Sequence, residues 1–302
     1  MSRARVRPFP TVFFITNTIT AFSEADHRAI QNNMQDSHSP DDFSYNKSML
    51  WPLKWIALVL VAIPALMILS GQISLGQDYR TANRDSAGIA PDPAKTPEAV
   101  VQVYAARALN WRGIFGVHTW IATKPENAPQ FIVHQVIGWR LRRNLAGLYS
   151  EPGIPDRNWF GNAPELLADL RGPEASPMIE KILKAVETYP FANEYRLWPG
   201  PNSNTFTAYV ARQVPELRLQ LPVTAIGKDF PIDGHPIDWA PSGTGLQLSL
   251  YGLLGVLVGV EEGLEVNVAG LSFGMDVKRP ALKLPLIGRV GFPVLTKTET
   301  VD

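Results

Sequence analysis

The chain contains no cysteine. Disulfides, thiolate nucleophiles and cysteine metal sites are excluded, and so is a lipoprotein anchor, which needs an acylated cysteine. This absence suits an oxidising compartment without requiring one. Neither sign of charge is in excess: lysine plus arginine number 28, and aspartate plus glutamate 28. A nucleic-acid reader carries a basic face; this balance offers none, so no nucleic-acid partner is expected. Charged residues make up only 19 % of the 302 residues, against 45 % hydrophobic. Apolar material for a core is therefore ample.

One long apolar run is present. Residues 51–73 read WPLKWIALVLVAIPALMILSGQI, and from Trp55 to Leu69 no residue is polar. With its flanks the run reaches the roughly 20 residues that span a bilayer. Trp51 and Trp55 suit an interface, and Lys54 can snorkel to it. Arg3, Arg5, Arg7, Arg28, Lys47 and Lys54 precede the run, while Arg80 and Arg84 follow it closely. The positive-inside rule then puts the main domain outside the cytoplasm. The expectation is a single-pass signal anchor in the bacterial inner membrane with a periplasmic domain. A cleaved signal peptide is the alternative. Residues 1–50 read as a disordered tail, and a translation start at Met49 is a second possibility.

Residues 74–97 end in three closely spaced prolines and read as an extended tether. A globular domain is expected over 98–292, followed by a polar tail over 293–302. EAVVQVYAARA, from Glu98, reads as a strand. IFGVHTWIAT and FIVHQVIGWRL read as an antiparallel hairpin across the turn KPENAPQ. NAPELLADLRG reads as a short helix capped by Asn162 and ended by Gly172. SPMIEKILKAVETYP reads as a helix capped by Ser176 and stopped by Pro190, and SNTFTAYVARQV as another stopped by Pro215. After Gly245 glycines and alternation predict two to four strands, in preference to a second membrane span over 246–260. The fold class expected is α+β, a membrane helix followed by one two-layer domain of mostly antiparallel sheet with packed helices.

The stretch WPGPNSNTF carries the main chemical candidate. Ser203 stands where a helix should begin, so free backbone N–H groups there could stabilise an oxyanion. A serine needs a base; His118 on a strand would supply one, with His134 on the partner strand orienting it. Asn202, Asn204, Trp120 and Trp198 are the candidate substrate contacts. The competing reading makes PNSNTF a plain helix cap. Asp229, Asp233, His235 and Asp238 cluster in one loop, but their spacing fits no metal motif, and no metal or cofactor is expected. APSGTG could cradle an anion through its backbone, yet lacks the lysine and helix of a P-loop. It reads as a turn.

Two resemblances add to this. NSNTF, with a histidine-bearing strand upstream, resembles the circularly permuted papain-like group of NlpC/P60 and lecithin-retinol-acyltransferase-like proteins. That resemblance implies a permuted papain-like fold over about 100–215, with His118 as the histidine, His134 as the third polar residue and Ser203 in the place of the group's cysteine. YRTANRDSAGIAPDP, VVQVYAARALNWRG, HTWIATKP, WPGPNSNTF, AIGKDF, APSGTG and ALKLPLIGRVG together resemble an uncharacterised bacterial family, domain-of-unknown-function family 3750. This second resemblance spans nearly everything after residue 75 and brings no established activity. The functional expectation is a hydrolase or acyltransferase-like domain acting on an amide or ester in wall or lipid material through Ser203 and His118. The alternative is a non-catalytic envelope module that binds a cell-wall or lipid ligand, or serves structurally.

Overall fold

The computed structural model describes residues 47–294, apart from the side chains of residues 47–50, 52, 53, 56, 57 and 60. The tail expected over 1–50 and the end of the polar tail, 295–302, fall largely outside this range. The chain divides into a unit of residues 1–56 and one of residues 57–302. The apolar run forms helix α1, Lys47–Leu69. Its first turns belong to the smaller unit, where the rings of Trp51 and Trp55 meet edge to face at 6.0 Å. Among the described residues no helix is long and apolar enough to cross a membrane.

The larger unit contains two antiparallel sheets. The first comprises β1 (Val100–Arg107), β2 (Val117–Lys124), β3 (Ile132–Val136), β4 (Leu148–Pro152) and β5 (Glu165–Arg171), in the order β4-β3-β2-β1-β5. Two single-turn helices, α2 (Arg112–Phe115) and α3 (Gly138–Leu141), fill its connections. Helices α4 (Ala175–Thr188) and α5 (Ser203–Gln213) cover one face. There Val101, Val103, Ile121 and Val136 pack against Ile179, Ile182, Phe206 and Val210, each such side chain contributing about 1.5–3 kcal/mol by burial. The other face holds Val100, Tyr104, Trp120, Ala122 and Val133 beneath Trp159 and Phe160. Successive residues of a strand point to opposite faces, so the first sheet is apolar on both.

The second sheet is a seven-stranded meander: β6 (Ile237–Trp239), β7 (Gly245–Leu250), β8 (Leu254–Gly259), β9 (Gly263–Val268), β10 (Leu271–Asp276), β11 (Ala281–Leu284) and β12 (Gly288–Gly291). Its inward face is polar. Lys228, buried, lies 2.7 Å from Asp229 Oδ1 and 2.8 Å from Glu265 Oε2, and Lys283 Nζ lies 2.6 Å from Glu265 Oε1. Burial opposes the Lys228 charge, but Asp229 and Glu265 hold its pKa above the ordinary lysine value. The same pairing holds Asp229 below the usual carboxylate value despite its burial.

The α+β class and antiparallel order agree with the sequence reading, but the architecture is two sheets rather than one two-layer domain. NAPELLADLRG is not a helix: residues Glu165–Arg171 form β5, paired along β1 with a bulge at Val103/Tyr104. The edge of β1 offers a full ladder of backbone hydrogen bonds, which outweighs the local helical preference of ELLADL. Helix α4 starts one residue before Ser176, so Ser176 lies within its first turn rather than at the cap. The tether is not free either. Buried Asp156 accepts from Ser86 Oγ at 2.8 Å, Ile89 N at 2.6 Å and Ala90 N at 3.1 Å, which fastens the segment to the domain. The last strand, β12, ends at Gly291, just inside the limit expected for the globular domain.

Candidate functional site

Helix α5 begins as a capped helix. Asn202 Oδ1 accepts from Asn204 N at 2.9 Å and Thr205 N at 3.2 Å, and Thr205 Oγ1 returns the bond to Asn202 N at 3.0 Å. This is a capping box. Two of the N–H groups expected to stabilise an oxyanion, those of Asn204 and Thr205, are thus used internally. Asn202 Nδ2 donates to Leu197 O at 3.1 Å and Ile226 O at 3.0 Å. Asn204 Nδ2 donates to Val117 O at 3.0 Å and Ile226 O at 2.8 Å. Both asparagines are buried and tie the start of the helix to neighbouring backbone.

The structure does not bring Ser203 and His118 together. Thr119 Oγ1 bonds Asn204 Oδ1 at 3.0 Å and Thr207 Oγ1 at 2.9 Å, so Thr119 faces α5. His118, one residue earlier, points through the opposite face and stacks on Trp159 at 3.7 Å. The sheet lies between the intended base and the intended nucleophile. His134 faces the helices, where its ring bonds Thr123 Oγ1 at 2.9 Å and Ser150 Oγ at 2.7 Å. It cannot orient His118 from there. Trp120 is buried, with Nε1 donating to Pro155 O at 2.7 Å. Trp198 is exposed and donates to Ala269 O at 2.9 Å, at a turn of the second sheet. In the acidic loop, Asp229 is taken by Lys228, and Asp238 lies 3.2 Å from Arg212. Among the described residues no group of three or more histidines and carboxylates could hold a metal. The APSGTG turn is filled from within, Ser242 N and Oγ donating to Glu262 at 2.9 Å and 2.7 Å.

What the far face of the first sheet does build is a cleft of about 770 Å³, within the usual range for small-molecule sites. Its walls come from residues 137–149, residues 157–160 and the segment 79–84, with Leu109 and Arg112. Six arginines line it (Arg84, Arg112, Arg140, Arg142, Arg143 and Arg157) together with Tyr79, Trp139, Tyr149, Trp159 and Phe160, and among the described residues none of the lining is acidic. Among the described residues only Arg140 of the six has a carboxylate in reach, Glu151 at 3.5 Å. Three of these guanidinium groups lie over rings, Arg140 4.2 Å from the centre of Tyr149, Arg84 4.5 Å from that of Phe160 and Arg112 5.0 Å from that of Trp111.

The aromatic wall is fixed by a tight turn. Trp159 and Asn162 exchange backbone bonds of 2.8 Å and 3.1 Å, with Phe160 at φ 51° and Gly161 at φ 88° between them. A left-handed phenylalanine is strained by roughly 1–2 kcal/mol, but its buried ring lies 5.0 Å from Trp159 and 5.6 Å from Trp139, and that packing outweighs the strain. Behind the wall His118 Nε2 lies 2.9 Å from Gln135 Oε1, and Gln135 Nε2 donates to Tyr149 OH at 2.6 Å. An amide oxygen only accepts, so the proton of neutral His118 sits on Nε2. Burial pushes the His118 pKa down to about 4, which keeps the ring neutral. Burial also raises the Tyr149 pKa. Since its oxygen accepts from Gln135, the Tyr149 proton remains free to donate elsewhere.

Sequence reasoning missed this cleft. Its signal was the run WRLRRN, residues 139–144, which sets Arg140, Arg142 and Arg143 beside a tryptophan in a chain of low charge. RNWFGN, residues 157–162, is the second half of the same signal.

Residues 98–230 match the family model described as "Protein of unknown function (DUF3750)". The match is shorter than the family resemblance read from the sequence, which also drew on segments before 98 and after 230. It includes most of the cleft, but not Tyr79 or Arg84. The comparisons give the NlpC/P60 resemblance no support. No curated protein and no solved structure matches the chain.

Proposed function

We propose that this is a binding module of the bacterial envelope whose ligand is an amphiphile with an anionic headgroup of the phosphate class. One observation carries the reading: a cleft whose lining, among the described residues, has six arginines, five aromatic side chains and no acid. Guanidinium groups pair with phosphate oxygens bidentately and keep their charge at any physiological pH. The rings of Trp139, Trp159 and Phe160 would take the apolar body, with Tyr149 donating to the headgroup. The histidine behind the wall is neutral and hydrogen-bonded to an amide, so it contributes orientation rather than proton transfer. The setting we infer is the periplasmic side of the inner membrane, which the charge bias around the apolar run favours.

Titration calorimetry tests this with a monoacylglycerol phosphate, the parent monoacylglycerol and inorganic phosphate. The phosphate amphiphile should bind, inorganic phosphate more weakly, and the neutral parent weakest. Tyr149→Phe and Arg157→Ala should each weaken binding about tenfold, the effect of one hydrogen bond to a charged group. Equal affinity for the charged and neutral amphiphiles would reject the proposal.

A further inference from the structure

The second sheet is inverted relative to an ordinary half-buried sheet. Its inward face carries Glu265, Lys283, Asn267 and Asp276, all buried. Its outward face is apolar throughout. Cross-strand partners share a face, and the row Trp239, Leu246, Val258, Leu264, Met275 and Leu282 runs outward across six strands. Every outward position in β6–β12 is aliphatic, aromatic, methionine or glycine. With strands about 4.8 Å apart and about 3.4 Å per residue, the face covers on the order of 600 Å² in projection, as large as the largest apolar patches of ordinary monomers.

We infer that this face lies on the acyl-chain surface of a lipid bilayer. Two further observations select that occupant. The meander has two ends of different character. The turns at one end, Tyr251–Leu253, Ala269–Gly270 and Pro285–Ile287, hold no charged residue, whereas those at the other end hold Glu261, Lys278 and Arg279. Leu286, in the uncharged end, clusters with Met67 and Ile73 at the close of α1. There the helix itself exposes Leu58, Val61, Leu66 and Leu69. The uncharged end of the sheet thus packs against the end of the apolar helix. A second copy stacked sheet to sheet would cover the face and leave the helix bare; a lipid surface covers both. The strands have at most six residues, against the roughly 9–11 needed to cross. Among the described residues the sheet edges β6 and β12 are also unpaired. The sheet therefore rests face-on at the interface and does not pass through it. This inference is independent of the ligand in the arginine cleft.

Because the chain has no cysteine, one introduced cysteine carries one label. Val256→Cys and Val266→Cys place a nitroxide at the middle of the face, and Lys278→Cys places one at the charged end. The full chain is reconstituted into vesicles of phosphatidylethanolamine and phosphatidylglycerol, with circular dichroism checking that each variant keeps its sheet content. At 256 and 266, lipid-soluble oxygen should relax the label several-fold more than a water-soluble nickel chelate; at 278 the order should reverse. Nickel access at 256 and 266 would overturn the inference, leaving the face bare to water. So would protection from both reagents with dipolar broadening between labels, since the cover would then be a second copy. Protection from both without broadening would overturn it too, another part of the chain being the cover.

Discussion

Histidines 118 and 134 make the stability of the domain depend on pH. Burial holds each near a pKa of about 4, against 6.5 for the free side chain. Below 6.5 the unfolded chain takes up protons that the folded chain refuses until about 4. The stabilisation is full above 6.5, falls as pH drops through that window, and is lost by about 4, at most about 3 kcal/mol per histidine. Thermal melts across the window should show a falling midpoint in the parent, flattened in the double variant His118→Gln, His134→Gln. A slope left unchanged would assign the titration to other groups. These histidines also show what could not be read at this scale. The sequence places His118 on a strand, and it is on one. Which way it points follows from the register of β2 against α5, and a shift of one residue exchanges the faces. Thr119, not His118, meets the helix, and no local pattern records that.

At the scale of elements, the Asn202 cap was legible because its chemistry is local, whereas the caps read at Asn162 and Ser176 were not borne out. Asn202 capping α5 is written in PNSNTF, and the structure adds that the same side chain ties down Leu197 and Ile226. Asn202→Ala should therefore cost more than an exposed cap, about 2–4 kcal/mol for the cap and the tertiary bonds together. Urea denaturation would read it; a loss under about 1 kcal/mol would mean the cap is replaced by water. The Phe160–Gly161 turn makes a narrower prediction. A Cβ on Gly161 would meet nothing closer than Gln77 at 3.5 Å, so the cost of Gly161→Ala is conformational, about 1 kcal/mol. It should also loosen the aromatic wall and weaken ligand binding, while an unchanged affinity would show that the turn does not hold the ring. β5 was illegible for the opposite reason: ELLADL has helical propensity, and only the open edge of β1, more than fifty residues earlier in the chain, makes it a strand.

At the scale of the molecule, charge is buried between the two halves and apolar surface faces outward. Glu265 is the hinge of that arrangement, bridging Lys228 and Lys283. Glu265→Ala would leave two buried ammonium groups short of a partner and should destabilise the fold by about 3–5 kcal/mol, as broken buried pairs do. A melting temperature near that of the parent would show that water enters the network. The sequence carried the alternation of the second sheet plainly, at Leu264, Val266 and Val268, but not which side of it would be covered. Ordinary patterning assigns the apolar side to the core, and here Lys228, Asp229 and Arg212 bring the polar side inward instead. The arginine cleft is likewise a product of the whole: Arg84, Arg112, Arg140 and Arg157 come from four separate segments and converge only in the folded chain.

Whether that convergence is a headgroup site is decided most directly by one comparison. The heats of binding of a monoacylglycerol phosphate and of its uncharged parent are measured on the full chain at low and high salt. Tighter binding of the phosphate form is expected, weakening with salt and largely lost in Arg142→Ala, Arg143→Ala, Arg157→Ala combined. Equal binding of the two compounds, indifferent to salt and to those three substitutions, would contradict it.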